Sequence, residues 1–575
     1  MRRSLPLLFL LVLLPSSRGQ TPQNTPPAAN PVRPNIVVFL VDDMGVHDTS
    51  VPFTLDEKGQ PVKRRFNTFY RTPNLEALAA GGMRFTSACA QSVCSPTRCG
   101  LLTGRNSIRH GITDWLGADT GGSPVNWRRT GMTAGEPTLP KLLQTAGYRT
   151  LHVGKAHFST GPVTPEQLGF DLSIGGNHWG HPKKGYLGAP GYGGLPGLEA
   201  YDGSMYLTKA LTIEADKALE KTVAEGRPFF LNMAFYAVHS PFTPDPDATG
   251  DYRDAVNEKH RAFATMIEGM DTAVGQIRKK LVDLGVAENT LIVFLGDNGS
   301  DSPALPVDGL PPGVFSDFPM RGKKGSKWEG GIRVPLIITW AASNPENPLQ
   351  KALPIPANSL QRDIVASWDI PVTLRCLAGI PATAGFGEDG HNLAPYLAGV
   401  PGPHRPQEIV IHYPHVHRSN WFSLIRQGNM KLIYNFGTGT RQLYDLAADP
   451  TESRDLAASR PDTVTGMTRA LARRLNDGWG AAGPLLPTAA TPAPKGNVVS
   501  LPVNPAVDLD HDGLPDSTED ADLNGLRTPS ETDPDDPNTD NDKTDDGEEV
   551  RLGTDPLNPA SDAGIPPDAA AGKRS

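Results

Sequence analysis

Two apolar runs that each close in acid constrain this chain more than any other feature. Ile36-Val37-Val38-Phe39-Leu40-Val41 passes directly into Asp42-Asp43, and Leu291-Ile292-Val293-Phe294-Leu295-Gly296 into Asp297-Asn298-Gly299. A short continuous run rich in Val, Ile and Phe reads as a strand buried on both faces, as in a parallel sheet covered by helices. Open α/β sheets place their ligands at the carboxyl ends of such strands. The two strands deliver Asp42, Asp43, Asp297 and the amide oxygen of Asn298, an all-oxygen set that suits a hard divalent cation and suits zinc poorly. Either cluster alone reads more readily as a turn or a helix cap. Together they read as a metal site.

The same alternation continues along the chain. Arg149 to Gly154 and the run Phe229 to Tyr236 are strand-like. Thr72-Pro73 opens a helix through Ala80, and Leu207 to Ala224 reads as another. Phe263, Met266, Ile267, Met270, Val274, Ile277, Leu281 and Leu284 form an apolar stripe at helical spacing, which is core rather than a cofactor box. The expected fold class is therefore α/β, a mostly parallel sheet sandwiched by helices. After about residue 400 the pattern changes to short strands, among them Glu408 to His412, Trp421 to Arg426 and Lys431 to Tyr434.

Cys94-Ser95-Pro96-Thr97-Arg98 places a thiol beside an expected helix start, with Ser95 as N-cap and Pro96 in the first helical position. Backbone N–H groups and the positive end of the helix dipole would face that thiol, a setting for an anion. Scattered cations and imidazoles gain meaning only if strands gather them: Lys155 and His157 after the strand at Arg149, His239 after the run at Phe229, and Lys324 ahead of Glu329-Gly330-Gly331.

Cys94-x-Pro96-x-Arg98 followed by Leu102-Thr103-Gly104-Arg105 resembles the signature of the cysteine-type sulfatases, and Gly154-Lys155-x-His157 is similar to their second motif. The resemblance covers roughly residues 34 to 480 and implies an alkaline-phosphatase-like fold. It implies that a maturation enzyme oxidises Cys94 to formylglycine, whose hydrated aldehyde supplies the nucleophilic oxygen, and that Arg98 holds this side chain. It further implies that Asp42, Asp43, Asp297 and Asn298 bind calcium or magnesium, with residue 94 completing the shell. Lys155, Lys324 and His239 would contact the sulfate, His239 or Lys324 would protonate the leaving alcohol, and His157 would take the proton that expels sulfate. Asn429 to Ile433 and Leu443 to Leu446 resemble the family's C-terminal subdomain, a small antiparallel sheet that helps wall the pocket. His412, His415 and His417 lie there; contact with substrate and a nickel or zinc site are both open readings, beside that of exposed loop histidines without a task.

At 575 residues the chain holds about three to four structural units. A formal net charge of −9 argues against a nucleic-acid partner while leaving room for a local cationic pocket. Met1-Arg2-Arg3, the apolar stretch Leu7 to Leu14 and Ser17-Arg18-Gly19 read as a cleaved signal peptide over 1–19, with an uncleaved anchor as the rival, so the expected location is secreted, periplasmic or cell-surface. No other segment is long and apolar enough to span a membrane. Four cysteines make a poor disulfide framework; beyond Cys94, either Cys89 pairs with Cys99 or Cys89, Cys99 and Cys376 are all buried thiols.

A flexible leader is expected over 20–33, a catalytic domain over 34–400, its C-terminal subdomain over 401–480 and an Ala, Pro and Thr-rich linker over 481–505. Beyond lies a second chemical system. Asp508, Asp510 and Asp512 with Glu519, then Asp520, Asp522 and Asn524 with Glu531, match calcium-loop spacing, with a looser third copy from Asn538 to Glu549. Glu519 abuts Asp520, which leaves no room for paired helices, so residues 506–562 resemble thrombospondin type-3 repeats, ahead of a disordered tail over 563–575. That resemblance implies additional calcium and attachment to a cell surface or matrix. The favoured reading is hydrolysis of sulfate monoesters on sulfated carbohydrate. Its rivals are phosphomonoester or phosphonate hydrolysis, and a calcium-dependent adhesion protein with an idle catalytic domain.

Overall fold

The computed structural model describes residues 33–117, 130–307, 320–415 and 418–479, with short stretches and single residues between 512 and 558. The expected signal peptide, nearly all of the leader, the linker, the tail, His417 and the loop residues Asp508, Asp510, Asp520, Asp522 and Asn524 lie outside the described residues.

The first apolar run forms β1 (Asn35–Val41), and its side chains divide by strand period between two cores. Val37, Phe39 and Val41 pack on one face with the helices Leu207–Ala224 and Glu258–Asp283. Ile36, Val38 and Leu40 pack on the other with the helices Cys94–Thr103, Leu139–Thr145 and Asp369–Leu377. Burial on both faces is why the run has no polar alternation.

Further strands are β2 (Met83–Phe85), β3 (Ala88–Cys89), β4 (Arg149–Gly154), β5 (Leu172–Ile174), β6 (Phe229–Ala234), β7 (Thr290–Gly296), β8 (Leu336–Trp340), β9 (Ser359–Gln361) and β10 (Val365–Ala366). The main sheet has eight strands in the order β5-β4-β6-β1-β7-β8-β2-β9, and β3 forms a separate two-stranded sheet with β10. Its left half is parallel throughout, whereas β8 runs antiparallel to β7 and β2. In register, Val41 lies opposite Gly296 and Gly154 opposite Ala234. Four neighbouring strands therefore end together, releasing Lys155, the segment leading to His239, Asp42-Asp43 and Asp297-Asn298 at one edge.

β11 (Glu408–Tyr413), β12 (Phe422–Gln427), β13 (Met430–Asn435) and β14 (Thr440–Asp445) form a separate antiparallel meander. One face packs on the helix Pro461–Trp479 through Ile425, Leu432, Leu471 and Leu475. The other, with Ile409, Ile411, Leu424 and Ile433, meets Trp328, Ile332 and Trp368 of the larger unit.

Several local expectations change. The helix of the cysteine motif starts at Cys94 with Val93 as cap, not at Pro96 with Ser95 as cap. The Ser95 hydroxyl instead accepts the amide of Leu116, so a tertiary contact takes the oxygen that would have capped the helix. Cys89 and Cys99 are not joined by a disulfide; both are buried, and Cys376 is half-buried. His412 and His415 are not exposed: His415 meets Thr113 Oγ1 at 2.9 Å and His412 meets the Ser423 hydroxyl, both in the interior. Among the described residues no helix is long and apolar enough to cross a membrane.

Candidate active site

Oxygens of Asp42, Asp43 and Asp297 lie within 4.8 Å of one another in a fully buried cluster. The Asp43 amide donates to Asp297 Oδ1 at 3.0 Å, which ties the ends of β1 and β7 together. Asn298 Nδ2 donates to Asp43 Oδ1, also at 3.0 Å. Asp43 has φ 62 and His157 φ 56, a left-handed conformation that costs a non-glycine residue about 1 kcal/mol or more and concentrates at functional sites.

Cations surround the cluster. Lys155 Nζ sits 2.7 Å from Asp42 Oδ2, Lys324 Nζ 2.5 Å from Asp43 Oδ1, and His239 Nε2 3.6 Å from Asp43 Oδ2. Arg98 reaches Asp297 Oδ2 at 2.8 Å and donates to the Lys155 carbonyl at 2.8 Å; its partners here are the carboxylate and the backbone, with Asp42 Oδ1 3.7 Å away. Burial works against the charge on Asp43, yet Lys324, His239 and Lys155 hold it well below the usual carboxylate range. Burial and neighbouring Asp42 push Asp297 the other way, to about 6, despite Arg98.

The cluster is short of donors all the same. Asp42 Oδ1, Asp43 Oδ2 and the Asn298 oxygen are buried without a hydrogen-bond donor. An unsatisfied buried oxygen costs about 1–3 kcal/mol, more when charged. Buried oxygen atoms without protons to accept, beside three carboxylates that meet within 4.8 Å, are what a hard cation such as calcium or magnesium would satisfy, so the residues fit such an ion.

Cys94 Sγ lies 3.4 Å from His157 Nδ1. His157 Nε2 is 2.8 Å from the Leu116 carbonyl, which can only accept, so Nε2 carries the proton and Nδ1 turns a lone pair toward Cys94. Burial, with Lys155 and Arg98 nearby, drives His157 well below its ordinary value and keeps it neutral. Burial likewise raises the Cys94 thiol, so the residue is no thiolate nucleophile as it stands. Gly154, at φ +103, is required next to this site: a Cβ there would stand 1.9 Å from the Ala234 carbonyl oxygen, which accepts the Lys155 amide.

A cavity of about 350 Å³ opens over Cys94, His157, His239 and Lys324, walled by Trp115, Trp179 and Arg418 among others. Lys155 is fully buried behind Asp42 and does not line it. Arg418 escaped the sequence reading because an isolated loop arginine carries no spacing signal; only the folding of the β11–β12 loop onto the larger unit brings it here.

The profile of the sulfatase family matches residues 34–380. The chain belongs to the sulfatase family. Arylsulfatase G of Rattus norvegicus is 28% identical over 502 residues, 77% of this chain and 87% of its own length. N-acetylgalactosamine-6-sulfatase of Canis lupus familiaris is 32% identical over 392 residues, covering 65% and 67%. Among solved structures, Ps i-CgsB in complex with k-i-k-neocarrahexaose matches with TM-score 0.61 and 26% identity over 78% of this chain and 93% of that one. This sulfatase thus has the family's sheet, with Asp42, Asp43, Asp297, Asn298, Cys94, Arg98, Lys155, His157, His239 and Lys324 gathered at one end of it.

The C-terminal residues form a second, looser acidic group. Asp512, Glu519 and Asp546 bring oxygens within 4.8 Å of one another. Asp546 was not among the ligands expected from loop spacing, and Glu531 is not in this group.

Proposed function

We propose that this sulfatase acts on sulfated carbohydrate, with a formylglycine made from Cys94 as nucleophile and a divalent ion, calcium or magnesium, held by Asp42, Asp43, Asp297 and Asn298. The observation that carries the proposal is that Cys94 meets the bare Nδ1 of His157 and also feels the charges of Asp42, Asp297, Lys155 and Lys324, beside a donor-poor carboxylate cluster. A relative named N-acetylgalactosamine-6-sulfatase, and a neighbour solved in complex with k-i-k-neocarrahexaose, favour a carbohydrate substrate.

The ion, when bound, would neutralise the cluster and polarise the oxygens of the sulfate and of residue 94. Hydrated formylglycine would present two hydroxyls on one carbon, one to attack sulfur and a second whose proton must leave for sulfate to be expelled. His157 is built to accept that proton: it is neutral, its tautomer is fixed by the Leu116 carbonyl, and its lone pair faces residue 94. Lys324 lines the cavity and stays protonated because Asp43, against the pull of burial, raises it. It is the better donor to the leaving alcohol oxygen as the S–O bond breaks. His239 competes poorly, since burial and Lys324 hold it to about 3 and its Nδ1–H is committed to the Ser240 carbonyl at 2.6 Å. Arg98 and Lys155 fix the carboxylates in place.

The proposal includes entry into an export route by cleavage of residues 1–19, oxidation of Cys94 by a formylglycine-generating enzyme, and additional calcium in thrombospondin type-3-like repeats over 506–562 that attach the enzyme to a surface or matrix. The meeting of Asp512 and Glu519 with Asp546 favours an ion shared between the first and third loops. The deciding experiment pairs mass spectrometry of the Cys94 peptide, expected to show loss of the thiol mass, with turnover of 4-nitrophenyl sulfate and 4-nitrophenyl phosphate. Faster hydrolysis of the sulfate by formylglycine-bearing enzyme is expected. Faster hydrolysis of the phosphate would transfer the proposal to phosphoester chemistry.

A further inference from the structure

The cavity carries more positive charge than one sulfate ester needs. Among the described residues no carboxylate side chain lines it, while Lys324, Lys183 and Arg418 all do. Lys324 belongs to the nucleophile end, where Asp43 holds it. Arg418 is anchored separately, by Asp301, through Nη1 at 2.7 Å and Nη2 at 3.0 Å. That fork-to-fork bond fixes the guanidinium plane and uses only part of its set of five N–H donors. Asp301 is itself buried and also pairs with Lys323 at 3.2 Å, so two cations share one carboxylate and the local balance stays positive.

The chain makes room for this arginine. Gly325 follows Lys324 at φ +78, and a Cβ there would stand 2.9 Å from Arg418 Cδ. The bare backbone lets the Arg418 stem lie across the Lys324 loop, one residue from the cation beside the nucleophile. Lys183 makes no ion pair among the described residues and rests over the Trp179 ring at 4.7 Å, poised on the cavity wall. A positively charged wall with aromatic faces, and with no acid among its described residues, suits a sugar that bears anionic groups beyond the bond to be cut.

Resting on the sulfatase reading, we infer that Arg418, with Lys183 in support, is a specificity-determining site for a second anionic group on the substrate, a further sulfate or a carboxylate on the same or the adjoining sugar. The small C-terminal sheet thereby supplies part of substrate selection, through Arg418.

The test uses the full chain with formylglycine confirmed, and compares kcat/KM for 4-nitrophenyl sulfate, a monosulfated monosaccharide, a disulfated disaccharide and a monosulfated disaccharide containing a uronic acid. The wild type is expected to prefer the two-anion sugars over the one-anion sugar by about tenfold or more, the scale of one charge-assisted contact, and the disulfated and uronic substrates tell which anion is preferred. Arg418→Ala should erase the preference mainly through KM, Arg418→Lys should restore part of it, and Lys183→Ala should reduce it less. If Arg418→Ala misfolds, Gly325→Ala and the decline of the wild-type preference with added salt read the same site. Equal kcat/KM for one-anion and two-anion sugars would overturn the inference. So would a loss with Arg418→Ala as large on 4-nitrophenyl sulfate as on the disulfated sugar, since Arg418 would then hold the scissile sulfate. Absence of turnover on every sulfate ester would sink the sulfatase reading instead.

Discussion

Two buried charge clusters in this molecule use the same residue types and end in opposite states. Glu329 and Glu452 meet Lys431, Arg426 and Arg333 where the small sheet packs on the larger unit. Lys431 lies 3.0 Å from Glu329 Oε1 and 2.7 Å from Glu452 Oε1; Arg333 and Arg426 take Glu329 Oε2 at 3.0 and 3.2 Å; and Glu452 Oε2 accepts the Glu329 amide at 2.7 Å. Every carboxylate oxygen there lies within 3.2 Å of a cation or an amide, Glu452 Oε1 through its ion pair with Lys431 alone, whereas the nearest cations to Asp42 Oδ1 and Asp43 Oδ2 stand 3.7 and 3.6 Å away. At the ends of β1 and β7, by contrast, Asp42 Oδ1, Asp43 Oδ2 and the Asn298 oxygen lack donors. Charge alone therefore does not mark a functional site. A cluster closed on itself joins two units, while one left open toward a cavity has capacity for an ion and a substrate.

Substitutions should separate the two. The largest effect is expected at the open site: Cys94→Ser, which cannot become formylglycine, should lower 4-nitrophenyl sulfate turnover by about 10⁴-fold or more, the scale of losing a nucleophile. Turnover close to wild type by a protein shown to carry serine would break the mechanism. At the closed cluster, Lys431→Met leaves Glu329 and Glu452 buried without their shared cation and should cost about 3–5 kcal/mol. Urea titration reads that loss, and kcat per folded molecule should hold.

Asp43→Asn should invert the pattern, with kcat/KM falling about 10²–10³-fold and a small change in the urea midpoint. A midpoint shift as large as that of Lys431→Met would dissolve the distinction between the clusters. Chelation comes next: an ion saturating the open site a hundredfold over its Kd stabilises by about 2.7 kcal/mol. Removing it should lower activity and the Tm of the catalytic domain in the wild type and leave that domain's Tm unmoved in Asp43→Asn.

The smallest effect concerns a buried group satisfied only when neutral. His152 stands 3.1 Å through Nε2 from the Gly154 carbonyl and accepts Asn232 Nδ2 at 3.0 Å through Nδ1. Burial brings it from 6.5 to about 3 in the fold, so the unfolded chain takes its proton first. Its contribution is complete above pH 6.5 and drains away as pH falls toward 3, by about 1.4 kcal/mol per pH unit at most. His152→Gln should flatten that part of the stability profile; an unchanged slope between pH 6 and 4.5 would remove His152 as a cause.

The strands were legible from residues because burial on both faces leaves so plain a pattern: the expected helix from Leu207 to Ala224 and the strand from Arg149 to Gly154 coincide with the structure. The open cluster was legible for a related reason, since its acids follow directly on the strands that carry them. Arg418 and the buried state of His412 and His415 were not, because loop placement depends on what packs against the loop rather than on its own period. Glu329 and Lys431 lie 102 residues apart, and nothing local announces that they meet.

Local chemistry determined which elements form, since hydrophobic period and turn residues act over a few positions. It also put the acids of the site and Lys155 directly after strands, with His157 and His239 a few residues further on, while Lys324 lies in a loop ahead of the helix Glu329–Ile332. The strand order β4-β6-β1-β7 was settled only by tertiary packing, and that order makes those ends neighbours and turns separate side chains into one pocket. Long-range contacts also fixed which cluster closes and which stays open, because the pairing of buried charges is decided by the partners the fold brings within reach.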